Sequence, residues 1–213
     1  MPHKSRKLDP RVIRTRQMLR NALIDLIGEK GFSAITVQDI TQRATLNRAT
    51  FYLHYRDKED LLAQSVEEIL EELVTGMKKC RLIDYDIVDS DGNVIQPLPD
   101  LVYVFEHVAK HEKFYRVMLG NKGQQSFWSR LMDVFVNVLD SRLEQSMTKA
   151  IHPKVPKEIL IHYAASAYLG VISWWLKHDM PYSPDYMATQ LTRLRVQHLQ
   201  IPPHELPPEP HGS

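Results

Sequence analysis

The sequence predicts an all-α chain, a short N-terminal helical unit followed by a larger helical block. Three observations predict it. Apolar residues recur at three- and four-residue intervals through most of the 213 residues, the spacing that lines one face of a helix. The interruptions carry helix punctuation, with Asp, Thr, Asn or Ser ahead of a periodic run and Gly or Pro behind it. Strand-like reading is confined to two short pieces, 86–88 and 93–95.

Residues 1–8 form a basic arm, with His3, Lys4, Arg6 and Lys7 ahead of any periodicity. A first helix is predicted over 10–30, capped by Asp9, started by Pro10 and stopped by Gly31. Ile13, Met18, Leu19, Ala22, Leu23, Leu26 and Ile27 make its apolar stripe, and Arg11, Arg14, Arg16 and Arg20 a basic outer side. Residues 36–58, TVQDITQRATLNRATFYLHYRDK, read as two short helices and the start of a third. Thr36 opens the first, which carries Val37, Ile40 and Ala44 at helical spacing. Thr45-Leu46-Asn47 leaves room only for a turn. Asn47 caps a second helix over 48–55, and Asp57 caps a third with Lys58 just inside it. Two helices joined by a tight turn, the second short and rich in donors, is the helix-turn-helix arrangement whose second helix enters DNA. On pattern alone, a small helical core with merely solvated polar residues is equally open.

Leu61, Leu62, Val66, Ile69, Leu70, Leu73 and Met77 continue the third helix to residue 80, a rod of about 30 Å. Glu59 and Asp60 suit its start, Lys78 and Lys79 its end. Residues 81–99 are irregular, with a turn at Asp89-Ser90-Asp91-Gly92-Asn93. A calcium loop aligned on Gly92 would put Ile87 and Leu98 at ligand positions, so that template fails. Helices are predicted over 101–111, 112–119, 124–148, 157–178 and 184–200, separated by Gly120, by Pro153 and Pro156, and by the cap Ser183. The tail from 201, PPHELPPEPHGS at its end, is proline-rich and predicted to be disordered. The domains expected are therefore 1–12 for the arm and helix start, 13–73 for the helix-turn-helix unit, 74–200 for a regulatory and dimerisation block, and 201–213 for the tail.

The net charge of +1 hides an asymmetry. Residues 1–58 hold 12 Lys and Arg against 5 Asp and Glu, a net of +7; residues 59–213 hold 15 against 21, a net of −6. A basic N-terminal third on an acidic body suits a polyanion partner. The single Cys80 excludes an internal disulfide and a multi-cysteine metal site and fits a cytoplasmic setting. No apolar run has the uninterrupted length of a membrane span, and the N-terminus lacks a signal-peptide core. No nucleophile elbow or glycine-rich phosphate loop occurs, so neither catalysis nor a cofactor is expected. His107 and His111 lie four residues apart, a metal-compatible spacing; without a third ligand in the pattern they read as solvated, and no metal is expected. Helix 157–178 is too apolar for one stripe. Tyr168, Val171, Ile172 and Trp175 are its candidate dimer contacts, against the alternative of a helix central to its own domain.

Residues 31–62, GFSAITVQDITQRATLNRATFYLHYRDKEDLL, resemble the DNA-binding module of the TetR/AcrR family of bacterial transcriptional regulators. The carrying motifs are Gly31-Phe32, Thr36, the run from Thr50 to Tyr55 and Lys58 to Leu61. Thr45 and Ala49 depart from it, standing where many members have Gly. The RATFYLHY run resembles one subgroup closely. The resemblance implies a homodimeric, cytoplasmic, ligand-responsive regulator, probing a palindromic double-stranded operator and released by a small-molecule effector, with repression the expected sign. Thr36, Tyr52 and Lys58 would hold phosphates; Asn47, Arg48, Ala49, Thr50 and His54 would lie at or face the base edges. Candidate effector-pocket residues are Tyr103, Phe105, Phe114, Tyr115, Phe135, His162 and Trp174. The alternative is a family relative acting as a protein-binding co-regulator without operator recognition.

Overall fold

The computed structural model describes residues 9–80, 96–120, 125–147 and 155–199. The basic arm, the acidic turn at 89–93 with its two extended pieces, Pro153 and the proline-rich tail lie outside them. The described residues are helical, without a strand.

Helix α1 (Pro10–Lys30) begins where Asp9 Oδ1 accepts from the Arg11 backbone N–H at 2.8 Å and ends at Gly31, whose φ of 77° suits a residue without a Cβ. A single 3₁₀ turn (Phe32–Ala34) leads to α2 (Val37–Arg43), started by a capping box between Thr36 and Asp39. A turn through Thr45 gives α3 (Arg48–Tyr52). Helix α3 is shorter than the expected 48–55. Its last turn tightens as His54 N–H donates to Phe51 O, three residues back, and Phe51 and Tyr55 both reach the core. Helix α4 (Lys58–Lys79) then starts at Asp57 and carries Leu61, Leu62, Val66, Ile69, Leu70, Leu73 and Met77 inward.

Thr45 holds a φ of 56°, a conformation that crowds a β-branched side chain. Thr45→Gly removes that strain and is expected to raise stability by about 1 kcal/mol, net of glycine's extra unfolded-state freedom. Denaturant unfolding checks it; an unchanged or lower midpoint contradicts the strain.

The second block holds α5 (Pro99–Lys110), α6 (Glu112–Leu119), α7 (Gln125–Met147), α8 (Lys157–Lys177) and α9 (Pro184–Leu199). α5 lies against α4 and α9, α7 against α4 and α8, and α6 against α1, α7 and α8. One continuous core therefore runs from Leu19 of α1 to Leu191 of α9. Gly76 of α4 lets α5 approach: an added Cβ would fall inside the Tyr103 ring, whose hydroxyl donates to Glu72 O at 3.0 Å. Where α4 ends and α5 begins, the Arg142 guanidinium binds the buried Asp100 carboxylate and donates to Met77 O at 2.7 Å.

By length and hydropathy alone α8 would qualify as a membrane span, contrary to the sequence expectation. Its buried side (Ile161, Ala165, Tyr168, Leu169, Ile172, Trp175 and Leu176) is the side that faces the protein's own core.

Candidate nucleic-acid interface

Helix α3 has one buried anchor, Phe51, and turns Arg48, Ala49, Tyr52 and the following Leu53 outward. Its start is fixed by Asn47, whose Oδ1 accepts from the Thr50 backbone N–H at 2.7 Å and from Thr50 Oγ1 at 2.9 Å. The Thr50 hydroxyl is thus committed to the cap, and its methyl is what remains to offer a ligand. Arg48 Nη2 donates to the Tyr52 hydroxyl at 3.4 Å, one helical turn on, and the Tyr52 ring stands edge-on against Phe51. These contacts pre-orient two long side chains on a short exposed helix. His54 is half-buried beside Tyr55, a less open position than the sequence suggested. Leu53 was not anticipated: it is 81% exposed at the tip of α3. Its signal in the sequence was an apolar residue between two polar neighbours, out of phase with Phe51.

The scaffold behind α3 is tied by charge. Arg16 Nε donates to the Tyr55 hydroxyl at 3.1 Å, and Arg16 and Arg20 both pair with Glu68 of α4 at 3.3 Å. Burial pushes the Tyr55 phenol above its ordinary pKa, though Arg16 opposes this. Half of the basic side expected of α1 therefore faces α4, while Arg11 and Arg14 are exposed. Arg43 forks onto Glu29 at 2.7 and 2.8 Å. Thr36 is exposed at the start of α2, with its hydroxyl engaged by Asp39. The Lys30 ion pair, helped by both Thr36 hydrogen bonds, holds the Asp39 carboxyl at a pKa of about 2, so this cap is lost only as pH falls through that value.

Lys58 is placed otherwise than expected. Its ammonium donates to Phe32 O at 3.1 Å, Ser33 O at 3.3 Å and Ile35 O at 2.8 Å and lies over the Phe32 ring. All three N–H donors are spent inside the protein, which favours a strap between α4 and the α1–α2 link over a phosphate clamp. Lys58→Ala is expected to cost about 1.5–3 kcal/mol of stability. With the variant still folded it should leave the affinity for operator and for random DNA unchanged, as thermal unfolding alongside gel shifts would show; an equal weakening on both DNAs would mark a phosphate contact instead.

The expected effector pocket is not one site. Phe105, Phe114, Tyr115 and Phe135 are core residues, Tyr103 is wedged over Gly76, and His162 and Trp174 are exposed on α8. A cavity of about 480 Å³ lies instead between α1, α4 and the α5–α6 junction, lined by Arg20, Asn21, Ile69, Lys110, His111 and Phe114 among others. Of the seven candidates it takes only Phe114.

The two tryptophans are also exchanged. Trp175 is buried edge-on against Phe105 and donates through Nε1 to Tyr182 O at 2.9 Å; Trp174 is 42% exposed beside His178 and Tyr182. Tyr168 and Ile172 are buried with Trp175, and Val171 packs at the edge of the same core, because that arc of α8 is needed by its own subunit. The apolar arc left outside runs through Ile159, Tyr163, Ala167, Gly170 and Trp174 and continues onto Tyr182 and Tyr186.

A three-helix head with a capped, outward-facing α3, braced by a long helix against a second helical block, defines a helix-turn-helix protein of the regulator type. The family model "Bacterial regulatory proteins, tetR family" matches residues 19–64, and "Transcriptional regulator C-terminal region", also of TetR type, matches residues 96–197. The chain belongs to the TetR family. It is 40% identical over 195 residues to the uncharacterized HTH-type transcriptional regulator YxbF of Bacillus subtilis, covering 88% of this chain and 46% of that one. It is 39% identical over 64 residues to IcaR of Staphylococcus epidermidis, the biofilm operon icaADBC HTH-type negative transcriptional regulator, covering 30% of this chain and 35% of that one. The chain spans less than half the length of both curated relatives. The fold matches that of the fatty acid degradation regulator FadR from Bacillus halodurans with a TM-score of 0.66 at 18% identity, covering 91% of this chain and 96% of that one.

Proposed function

We propose that the chain is a transcriptional regulator of the subgroup with an RATFYLHY recognition helix, and that it represses by binding a palindromic operator as a cytoplasmic homodimer, released by a small-molecule effector. The observation that carries the reading is the exposed, internally braced pair Arg48 and Tyr52 on a helix capped by Asn47. Arg48 forks onto a guanine edge, the Thr50 methyl and Leu53 meet apolar base surface, and Tyr52 holds a phosphate, while Thr36, with both donors on Asp39, fixes the start of α2. Asn47 and Ala49 let the backbone approach, and His54 contributes at the margin. Repression is favoured by the likeness to IcaR, a negative regulator. The exposed arc of α8 and α9 is the dimer surface, and the α1–α6 cavity is the effector's place. A shift there moves α6 against α1 and spoils the spacing of about 34–36 Å that two recognition helices need.

The test is a gel shift of the DNA flanking the chain's own gene. The reading expects a salt-sensitive complex with two chains per site, exceeding random DNA in affinity by about 10³-fold or more. Equal affinity for both DNAs removes operator recognition and leaves a protein-binding co-regulator.

A further inference from the structure

His107 lies on α5 with 2% of its surface exposed, and its Nε2 is buried without a hydrogen-bond partner. Such an atom is costly to bury unless something binds it. Its other ring nitrogen, Nδ1, is 3.2 Å from the Tyr115 hydroxyl oxygen. With Nδ1–H donating there, the Nε2 lone pair is the one left for a ligand, the outer-shell arrangement that orients metal-binding histidines. One turn on, the His111 ring stands 4.7 Å from the His107 ring, and its Nε2 meets Glu72 Oε2 of α4 at 3.1 Å. One donor atom from each of Glu72, His107 and His111 lies within 4.8 Å of the other two.

We propose that Glu72, His107 and His111 form a site for a divalent transition-metal cation of the zinc class. Two imidazoles and a carboxylate are the donor set that selects such an ion over magnesium or calcium. Metal–ligand bonds of about 2.0–2.2 Å put tetrahedral donors roughly 3.4 Å apart, so the three side chains close in by about an ångström. Glu72 keeps Oε1 on Lys110, 2.5 Å away, and turns Oε2 to the ion. Binding replaces the His111–Glu72 contact and releases the proton it shares. Burial first, then His111, lowers the His107 pKa to about 4, so this ligand is neutral at physiological pH. Burial likewise lowers that of His111. His111 also lines the α1–α6 cavity, which leaves a fourth position for water or for a ligand's donor atom. The site ties α4, which begins at the DNA-binding head, to α5.

The test uses the full chain, stripped with chelator and titrated with Zn²⁺ alone, without DNA, so its outcome is independent of operator binding. A single tight equivalent is expected, with tetrahedral visible bands when Co²⁺ replaces Zn²⁺. His111→Ala and Glu72→Gln, at positions outside the fully buried core, should each weaken binding by about 100-fold or more while retaining the helical spectrum, since loss of an outer-shell partner already costs 10–100-fold. His107→Phe should abolish the Co²⁺ bands while retaining the helical spectrum. Zn²⁺ bound equally by wild type and His111→Ala, or no binding above that of scattered surface histidines, overturns the site.

Discussion

Replacing Arg142 by alanine removes about 3–5 kcal/mol of stability, the cost of stranding a buried charge. Asp100 and Arg142 have side chains 6% and 11% exposed and hold each other at the junction where α4 ends and α5 begins. Arg142 also satisfies Met77 O, in the last turn of α4, where helix carbonyls lack intrahelical partners. The alanine variant leaves the Asp100 carboxylate in the core without its cation. Equilibrium unfolding in urea measures this, and a paired Asp100→Leu, Arg142→Leu variant should recover much of the loss. A loss below about 1 kcal/mol for Arg142→Ala would show that water reaches Asp100.

The second large effect falls on association. Gly170 sits in the middle of the exposed α8 arc, and a Cβ added there meets nothing within 4 Å. Within one subunit Gly170→Glu is therefore harmless, and removing a mid-helix glycine favours α8 by about 1 kcal/mol. In a dimer formed through this arc the same residue puts a charge where two helices meet. The expected result is a folded monomer by sedimentation, with operator affinity down by about 10²–10⁴-fold as the two half-sites lose their link. A Gly170→Glu chain that remains dimeric would move the interface off this face.

Helix starts were legible because capping is local. Asp9, Thr36, Asn47 and Asp57 each satisfy donors two or three residues ahead, so their geometry is written in adjacent letters. The outward positions of Arg48 and Tyr52 were legible for the same reason, with Phe51 as the inward anchor, whereas exposed Leu53 and half-buried His54 were not. What failed depended on partners distant in sequence. Lys58 reads as a free cation at the start of a helix until the carbonyls of Phe32, Ser33 and Ile35 fold beneath it. Trp174 and Trp175 both read as apolar, and only the packing of α5 decides which is inside. His107 and His111 showed a metal-ligand spacing, but Glu72 comes from another helix 35 residues earlier, beyond any local pattern.

Arg48 carries the central claim, that α3 reads sequence. The direct measurement is the ratio of affinities for the flanking operator and for random DNA, wild type against Arg48→Ala, at one salt concentration. A forked contact to one guanine per half-site is worth about 1–3 kcal/mol, so the ratio should fall by roughly 10–100-fold or more while random-DNA binding changes little. An unchanged ratio would mean that α3 does not read bases through Arg48, and the account of this helix would fail.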